Sequence, residues 1–451
     1  MSEPFYSDET DFPGEPFIEA QSIEETIDET DTDGALATDA AVNSTLAEPT
    51  SVQAPVTVPG TAPTLNPTLG TLMALGVTLD ETTVCLLENV SGIYRLVGWT
   101  SRQREPGASL TQDAAQVCRQ LGIHLDRALW DEDHNTPFLQ SPDPIRYPPL
   151  EHFAVGVSPR PRMRVQLLGL SRESIGAARQ ALTSAPLHLS GIIQLDRTMS
   201  SGALATQFAD QRPEALIIVG GYDDPDPATH TWILTLCRYV GQALSRLSPG
   251  ERPAVFYAGN QWAAMTAEAL LYPQEGPLTF ARVNNVLPYP GHIVQTELPV
   301  VLSQLYWQFC QRMPGFAQLS RWITAPGHVA NLESSFAQLV RIWMEYHGLP
   351  RLHGLYCTRH WWLHVWAEAA TGGVQLRFVK PDSRPQGFAD WPPLQLVSGS
   401  WPRHLWPRPT TAWWDRHRLA PLLTTIGQVA PQAVLQALEE DVLAIRRQRF
   451  R

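Results

Sequence analysis

Two runs decide the fold of this chain, Leu216-Ile-Ile-Val-Gly-Gly221 and Pro253-Ala-Val-Phe-Tyr-Ala-Gly-Asn260. Each is almost continuously apolar and ends in glycine, the pattern of a strand buried on both faces of a parallel sheet. The segment between them is one helix long. Asp226-Pro227 opens it, because proline suits a first helical turn, and Trp232, Ile233, Leu236, Val240 and Leu244 recur at helical spacing. The three pieces make a βαβ unit with a right-handed crossover, so the chain is an α/β protein. Ligands of open α/β sheets bind beyond the carboxyl ends of the strands, which makes Gly220, Gly221 and Gly259 the marks of a candidate site.

Upstream, Leu72–Thr78, Thr82–Glu88 and Tyr94–Thr100 are rich in apolar and β-branched residues and are divided by turn residues, which predicts an antiparallel meander. Ser109-Leu-Thr-Gln112 has capping-box spacing and predicts a helix to about Leu121. Residues 125–160, rich in Pro, Asp and His, read as irregular. Val165–Leu170 and Ile192–Leu195 read as strands, each followed by a helix, the first capped by Ser171 and ending near Leu182, the second over Leu204–Arg212. Downstream, helices are expected at Trp262–Tyr272, Leu298–Arg312 and from an Asn331 cap to Gly348, with a turn at Asn284–Pro288 and a strand over Leu355–Trp366. Residues 381–428 form a Pro- and Trp-rich stretch with no regular pattern, and a last helix is expected over Gln432–Arg447 within a terminal segment 429–451.

Charge is very unevenly placed. Residues 1–50 carry fourteen Asp and Glu and no Lys or Arg, and the first basic residue is Arg95. Residues 1–68 have too little apolar pattern to offset the entropy of ordering, and read as a disordered acidic tail whose bulky anchors are Phe5, Tyr6, Phe12, Phe17 and Ile18. Without residues 1–50 the chain carries 31 acids against 33 bases, which argues against a nucleic-acid or anionic-membrane partner. Lys380 is the single lysine, so a lysine-based phosphate loop is excluded. Five dispersed cysteines with no CxxC pair, together with no basic leader and no apolar run of membrane-spanning length, imply free thiols and a cytoplasmic protein.

Three constellations bear on chemistry. Asp223, Asp224 and Asp226 are candidate Mg²⁺ ligands on a loop; the competing reading is an Asx-rich turn that caps the next helix. His353, Cys357, His360 and His364 have metal-ligand spacings, yet in a strand His360 and His364 lie about 13 Å apart, too far for one ion. Trp391, Trp401, Trp406, Trp413 and Trp414 fit an extended segment that packs its indoles on the domain better than a stacking platform for bases or sugars.

Several segments in order, Leu72-Met-Ala-Leu-Gly-Val-Thr78, Tyr94-Arg-Leu96, Val165-Gln-Leu-Leu-Gly169, Ala215–Gly221, Val255–Gly259, Arg282–Pro288, Pro314-Gly315 and Thr324 through Leu355, resemble the glutamate mutase accessory protein MutL family. That resemblance spans roughly residues 70–370 and implies an actin-like (ribonuclease H-like, Hsp70 and sugar-kinase) ATPase fold over 69–380, with two acid-plus-glycine phosphate loops. Gly76, Thr78, Gly220, Gly221 and Gly259 are then the candidate nucleotide contacts, with Asp223, Asp224 and Asp226 for the metal. The acids of the loops are missing. Ala74-Leu-Gly-Val-Thr78 stands at the first and Tyr356-Cys-Thr-Arg-His-Trp-Trp362 at the second, and the second lobe is expected to be incomplete. The resemblance therefore implies a non-catalytic, pseudo-ATPase accessory or scaffold with no cofactor, which associates with an intact paralogue or a cobalamin-dependent mutase. The alternative is an active ATPase or nucleotide sensor that uses ATP and Mg²⁺.

Overall fold

The computed structural model describes residues 70–379, apart from 91–92, 106, 138–146, 148, 197, 273–277, 324–328 and 358–360, together with 395–396, 399–400, 422 and 424–428. The acidic tail, the tryptophans of 391–414 and the helix expected over 432–447 lie outside the described residues. The protein is a mixed α/β structure built on two five-stranded sheets.

The first sheet starts with the expected meander, β1 (Thr71–Thr78), β2 (Glu81–Val90) and β3 (Ile93–Gln103), antiparallel throughout. Helix α1 (Leu110–Leu125) follows. Its capping box does not form. Ser109 makes no cap bond and instead pairs its Oγ with Thr111 Oγ1 at 2.8 Å, while the Leu110 amide donates to the Pro314 carbonyl. A tertiary partner has taken over the role of the local cap.

Residues 125–160 are not irregular. They hold a two-residue pair, β4 (Trp130–Asp131) with β5 (Thr136–Pro137), and then β6 (His152–Ser158), which lies parallel to β1. The run His152-Phe-Ala-Val-Gly-Val-Ser158 has a glycine in its middle and is preceded by a proline-rich stretch, which hid a buried strand. That glycine answers a close approach from above, since a Cβ on Gly156 would meet Leu332 Cδ2 at 2.6 Å.

The second sheet then opens, with β7 (Met163–Gly169), α2 (Arg172–Ala181), β8 (Leu187–Gln194), α3 (Ser201–Gln211), β9 (Ala215–Val219), α4 (Thr231–Leu244), β10 (Ala254–Tyr257), α5 (Ala264–Leu271) and β11 (Phe280–Arg282). Every neighbouring pair is parallel, in the order β8-β7-β9-β10-β11. Numbered within the sheet this is 2-1-3-4-5, a doubly wound order whose direction reverses between β7 and β9. One face packs on α2 and on α6 (Glu297–Gln311) through Ile175, Ala178, Leu302 and Tyr306. The other packs on α3, α4 and α5 through Phe208, Ile233, Leu236, Val240 and Leu271. Each fully buried Leu or Ile contributes roughly 1.5–3 kcal/mol, so burial on both faces explains the continuous apolar strands.

The chain returns to the first sheet through α7 (Phe316–Trp322) and β12 (Ala330–Asn331), which adds beside β6 to give β12-β6-β1-β2-β3. Helices α1 and α7 cover one face of that sheet. Helix α8 (Leu332–Tyr346) lies against the other with residues of the 422–428 stretch, where Leu422 and Ile426 join Leu72, Ala74, Ala154 and Leu339 in one buried cluster. Residues 424–428, at the end of the stretch read as irregular, are thus helical. The single strand expected over 355–366 is a hairpin, β13 (Arg351–Cys357) and β14 (Trp362–Glu368), joined by β15 (Val374–Val379) in a three-stranded sheet whose inner face packs on α8.

Candidate functional site at the carboxyl edges of the two sheets

The glycine loops meet at the carboxyl edge of the second sheet. Gly220 (φ +137°) and Gly221 (φ +75°) follow β9 in backbone conformations open chiefly to glycine. Gly259, after β10, lies directly against them, and a Cβ there would sit 2.7 Å from the Gly220 carbonyl oxygen. The Asn260 amide donates to that same oxygen at 3.0 Å.

The three aspartates organise this edge from within. Asp223 Oδ1 accepts from the Gln261 amide and from Asn285 Nδ2, each at 2.9 Å. Asp224 Oδ1 accepts from the Asp226 amide at 2.9 Å, and Asp226 caps the 3-10 turn that leads into α4 by accepting from the Ala228 amide at 3.0 Å. Their arrangement is the Asx-rich capping turn. Among the described residues no group of three or more His, Cys, Asp or Glu is arranged to hold a metal ion.

Asn260 and Asn285 are contributors that the sequence reading did not single out. Asn260 Nδ2 donates to the Tyr222 carbonyl at 2.5 Å and to the Asp224 carbonyl at 3.2 Å; Asn285 Nδ2 also reaches the Gly221 carbonyl at 2.8 Å. Both side chains are buried. A cleft of about 220 Å³ opens beside them, lined in part by Gly259, Gln261, Arg282, Asn284 and Glu297. Arg282 is ion-paired to Glu268, and Glu297 accepts from the Asn284 amide at 2.5 Å.

Gly76 and Thr78 belong to the other sheet. Gly76 lies within β1, paired with Thr83 and Gly156, and is buried rather than presented on a loop. Thr78 closes the two-residue β1–β2 turn: its Oγ1 donates to the Glu81 carbonyl at 3.0 Å and accepts from the Glu81 amide at 3.1 Å. Arg104 staples this edge. Its guanidinium donates to the carbonyls of Thr78 (3.0 Å), Pro159 (3.2 Å) and Ala108 (3.4 Å) and to Asp113 Oδ2 (2.8 Å). The Arg104 and Asp113 side chains are only 5% and 8% exposed.

Deeper along the same edge stands Glu333, in the first turn of α8 and buried. Ser158 Oγ donates to its Oε1 at 2.5 Å, while Oε2 has no hydrogen-bond partner among the described residues. Burial raises the Glu333 carboxyl above its ordinary range, opposed in decreasing order by the Ser158 hydrogen bond, the Glu333 backbone amide, the Asn331 side chain and the charge of Arg162. Burial also lowers Arg162 to about 10 and pushes the Cys310 thiol up to about 12. Nothing in the sequence around Glu333 distinguished it from any acid in a helical first turn.

The hairpin brings together two of the four spaced candidate ligands. His353 Nδ1 and His364 Nε2 are 3.0 Å apart. Their ring centroids are 5.2 Å apart with planes at 16°, so the rings meet edge to edge and share one N–H. Burial first, then His353 and Arg377, lower His364 to about 4. The Cys357 side chain and His360 lie outside the described residues.

No protein-family model and no curated protein matches this chain. One solved structure with a weak likeness is the nucleotide-free form of acetone carboxylase, from work on ATP-dependent acetone carboxylation. It is 8% identical, with a TM-score of 0.27, and the match covers 68% of this chain and 48% of that one. This chain therefore spans about half the length of that neighbour. No helix among the described residues is long and apolar enough to cross a membrane.

Proposed function

We propose that this protein is a non-catalytic accessory protein of the glutamate mutase MutL type, built on an actin-like lobe and acting by association with other proteins. The observation that carries this reading is the closed carboxyl edge of the first sheet. An actin-like ATPase of that family places a phosphate loop at the β1–β2 turn; here the turn is two residues long, and Arg104 ties the Thr78 carbonyl at its start to Pro159, Ala108 and Asp113. Ala74, on the strand that would carry the acid, is fully buried against α8 and the 422–428 stretch. Tyr356, at the start of the second loop, is 3% exposed within the apolar cluster under α8. A meander followed by two parallel strands on the β1 side supports the lobe assignment. An intact paralogue or a cobalamin-dependent mutase is the partner class that the resemblance suggests.

A second reading, a nucleotide sensor, has one observation in its favour: Gly220, Gly221 and Gly259 do converge at an open edge beside Asp223. Calorimetric titration of ATP with Mg²⁺ into the full chain separates the two. The accessory reading expects no heat up to millimolar nucleotide. Micromolar binding that is lost on Asp223→Ala would replace it with the sensor.

A further inference from the structure

Four large apolar side chains stand in solvent at the carboxyl edge of the second sheet. Trp232 is 65% exposed, Trp262 60%, Met265 75% and Tyr222 39%. A single carbonyl ties the supports of Trp232 and Trp262 together. The Asp224 oxygen lies 2.7 Å from the His230 ring Nε2 and 3.2 Å from Asn260 Nδ2. Trp232 and Trp262 each stand two residues beyond those anchors, and Met265 follows Trp262 by one turn. Helices α4 and α5 lie side by side behind them, with Gly241 of α4 against the Leu270 backbone.

The surroundings are acidic. The Tyr222 hydroxyl donates to Glu173 Oε2 at 2.7 Å, and Asp223, Asp224 and Asp226 stand on the same loop. Backbone amides bond to the three aspartates, and among the described residues none of these four carboxylates is in an ion pair. The loop and the first turn of α2 thus carry negative charge that no ion pair among the described residues offsets. Tryptophan, tyrosine and methionine are the residues that concentrate at the centres of interfaces, and an exposed cluster of them calls for a partner.

We propose that this patch docks a basic amphipathic segment of a partner protein, with apolar side chains on Trp232, Trp262 and Met265 and Lys or Arg against the carboxylates. The proposal rests on the association reading above and deepens it. Charge complementarity selects the occupant. The chain's own first fifty residues offer Phe5, Tyr6, Phe12 and Phe17 but bring fourteen acids and no base to an acidic rim. A second copy of the chain would set that rim against itself.

The test uses the full chain and two labelled helical peptides that share one Leu/Trp face, with lysines on the polar face of one and glutamates on the other, read by fluorescence anisotropy. The lysine peptide is expected to bind at least about tenfold more tightly, a difference of about 1.4 kcal/mol, and to weaken with salt. A Trp262→Ala/Met265→Ala variant should lose at least about tenfold of that affinity. Glu173→Gln with Asp226→Asn retains the side-chain hydrogen-bond acceptors and the helix cap while removing two charges, and should lose about threefold or more. Equal affinity of wild type and the Trp/Met variant overturns the proposal. So does tighter binding of the glutamate peptide, which assigns the patch to the acidic tail, or self-association that the Trp/Met variant abolishes, which assigns it to a second copy. Affinity capture from native extract separates the two levels. Partners retained by the Trp/Met variant overturn this surface alone, whereas no partner for either protein overturns the association reading itself.

Discussion

The two sheets treat their carboxyl edges in opposite ways. At the first, Arg104, Asp113, Ser158 and Glu333 turn polar groups inward, and the β1–β2 turn is pinned by its own threonine. At the second, positive-φ glycines, a polar cleft and exposed aromatic rings turn outward. The first edge is tied together by its own buried side chains, whereas the second, although its loops also bond to one another, keeps a cleft and exposed rings at its surface.

The largest effect expected from breaking this contrast lies at Arg104. Arg104→Ala leaves the Asp113 carboxylate buried and uncompensated and should cost about 3–5 kcal/mol, measured by urea unfolding. A loss under about 1 kcal/mol would mean that the first edge is not stapled as described. Gly259→Ala is the counterpart at the second edge. Its Cβ meets the Gly220 carbonyl, and overpacking there should cost about 1–3 kcal/mol and lower the affinity of any ligand of that edge.

Glu333 sharpens the comparison through pH. Its folded carboxyl is raised above the ordinary 4.5, so the unfolded chain ionises first and stability falls as pH rises from about 4.5 toward the folded value. Glu333→Gln should remove that slope, giving a stability advantage over wild type that grows as pH rises above about 4.5 and levels off once the folded carboxyl has ionised. A constant difference across that range would show that the carboxyl does not titrate with folding. The smallest effect belongs to the exposed patch. Trp262→Ala and Met265→Ala should each change stability by no more than about 0.5 kcal/mol, because their side chains leave little surface buried. A larger loss would make the patch part of the fold rather than a surface for partners.

Local pattern made much of the fold legible. Strands β1–β3, β9 and β10 stand where their apolar runs place them, and Ser171, Asp226 and Asn331 cap the helices or turns assigned to them. Strand β6 was not legible, because its central glycine and proline-rich approach break the strand signal, and only the helices packed over Gly156 explain that glycine. The hairpin turn that brings His353 to His364 falls in a run of residues equally suited to one long strand. Gly220, Gly221 and Gly259 lie on the loops that follow β9 and β10 of the second sheet, whereas Gly76 and Thr78 are strand and turn residues of the first.

The sequence by itself determined the α/β class, the doubly buried strands of the second sheet and the loop glycines, since burial periodicity and backbone sterics act over a few residues. Only the tertiary structure decided the division into two sheets, the order 2-1-3-4-5 of the second, the closing of one edge by Arg104 and the burial of Glu333. Those features join residues far apart in the chain, such as Ser158 with Glu333, and their energies arise from desolvation and packing that no local run of residues encodes.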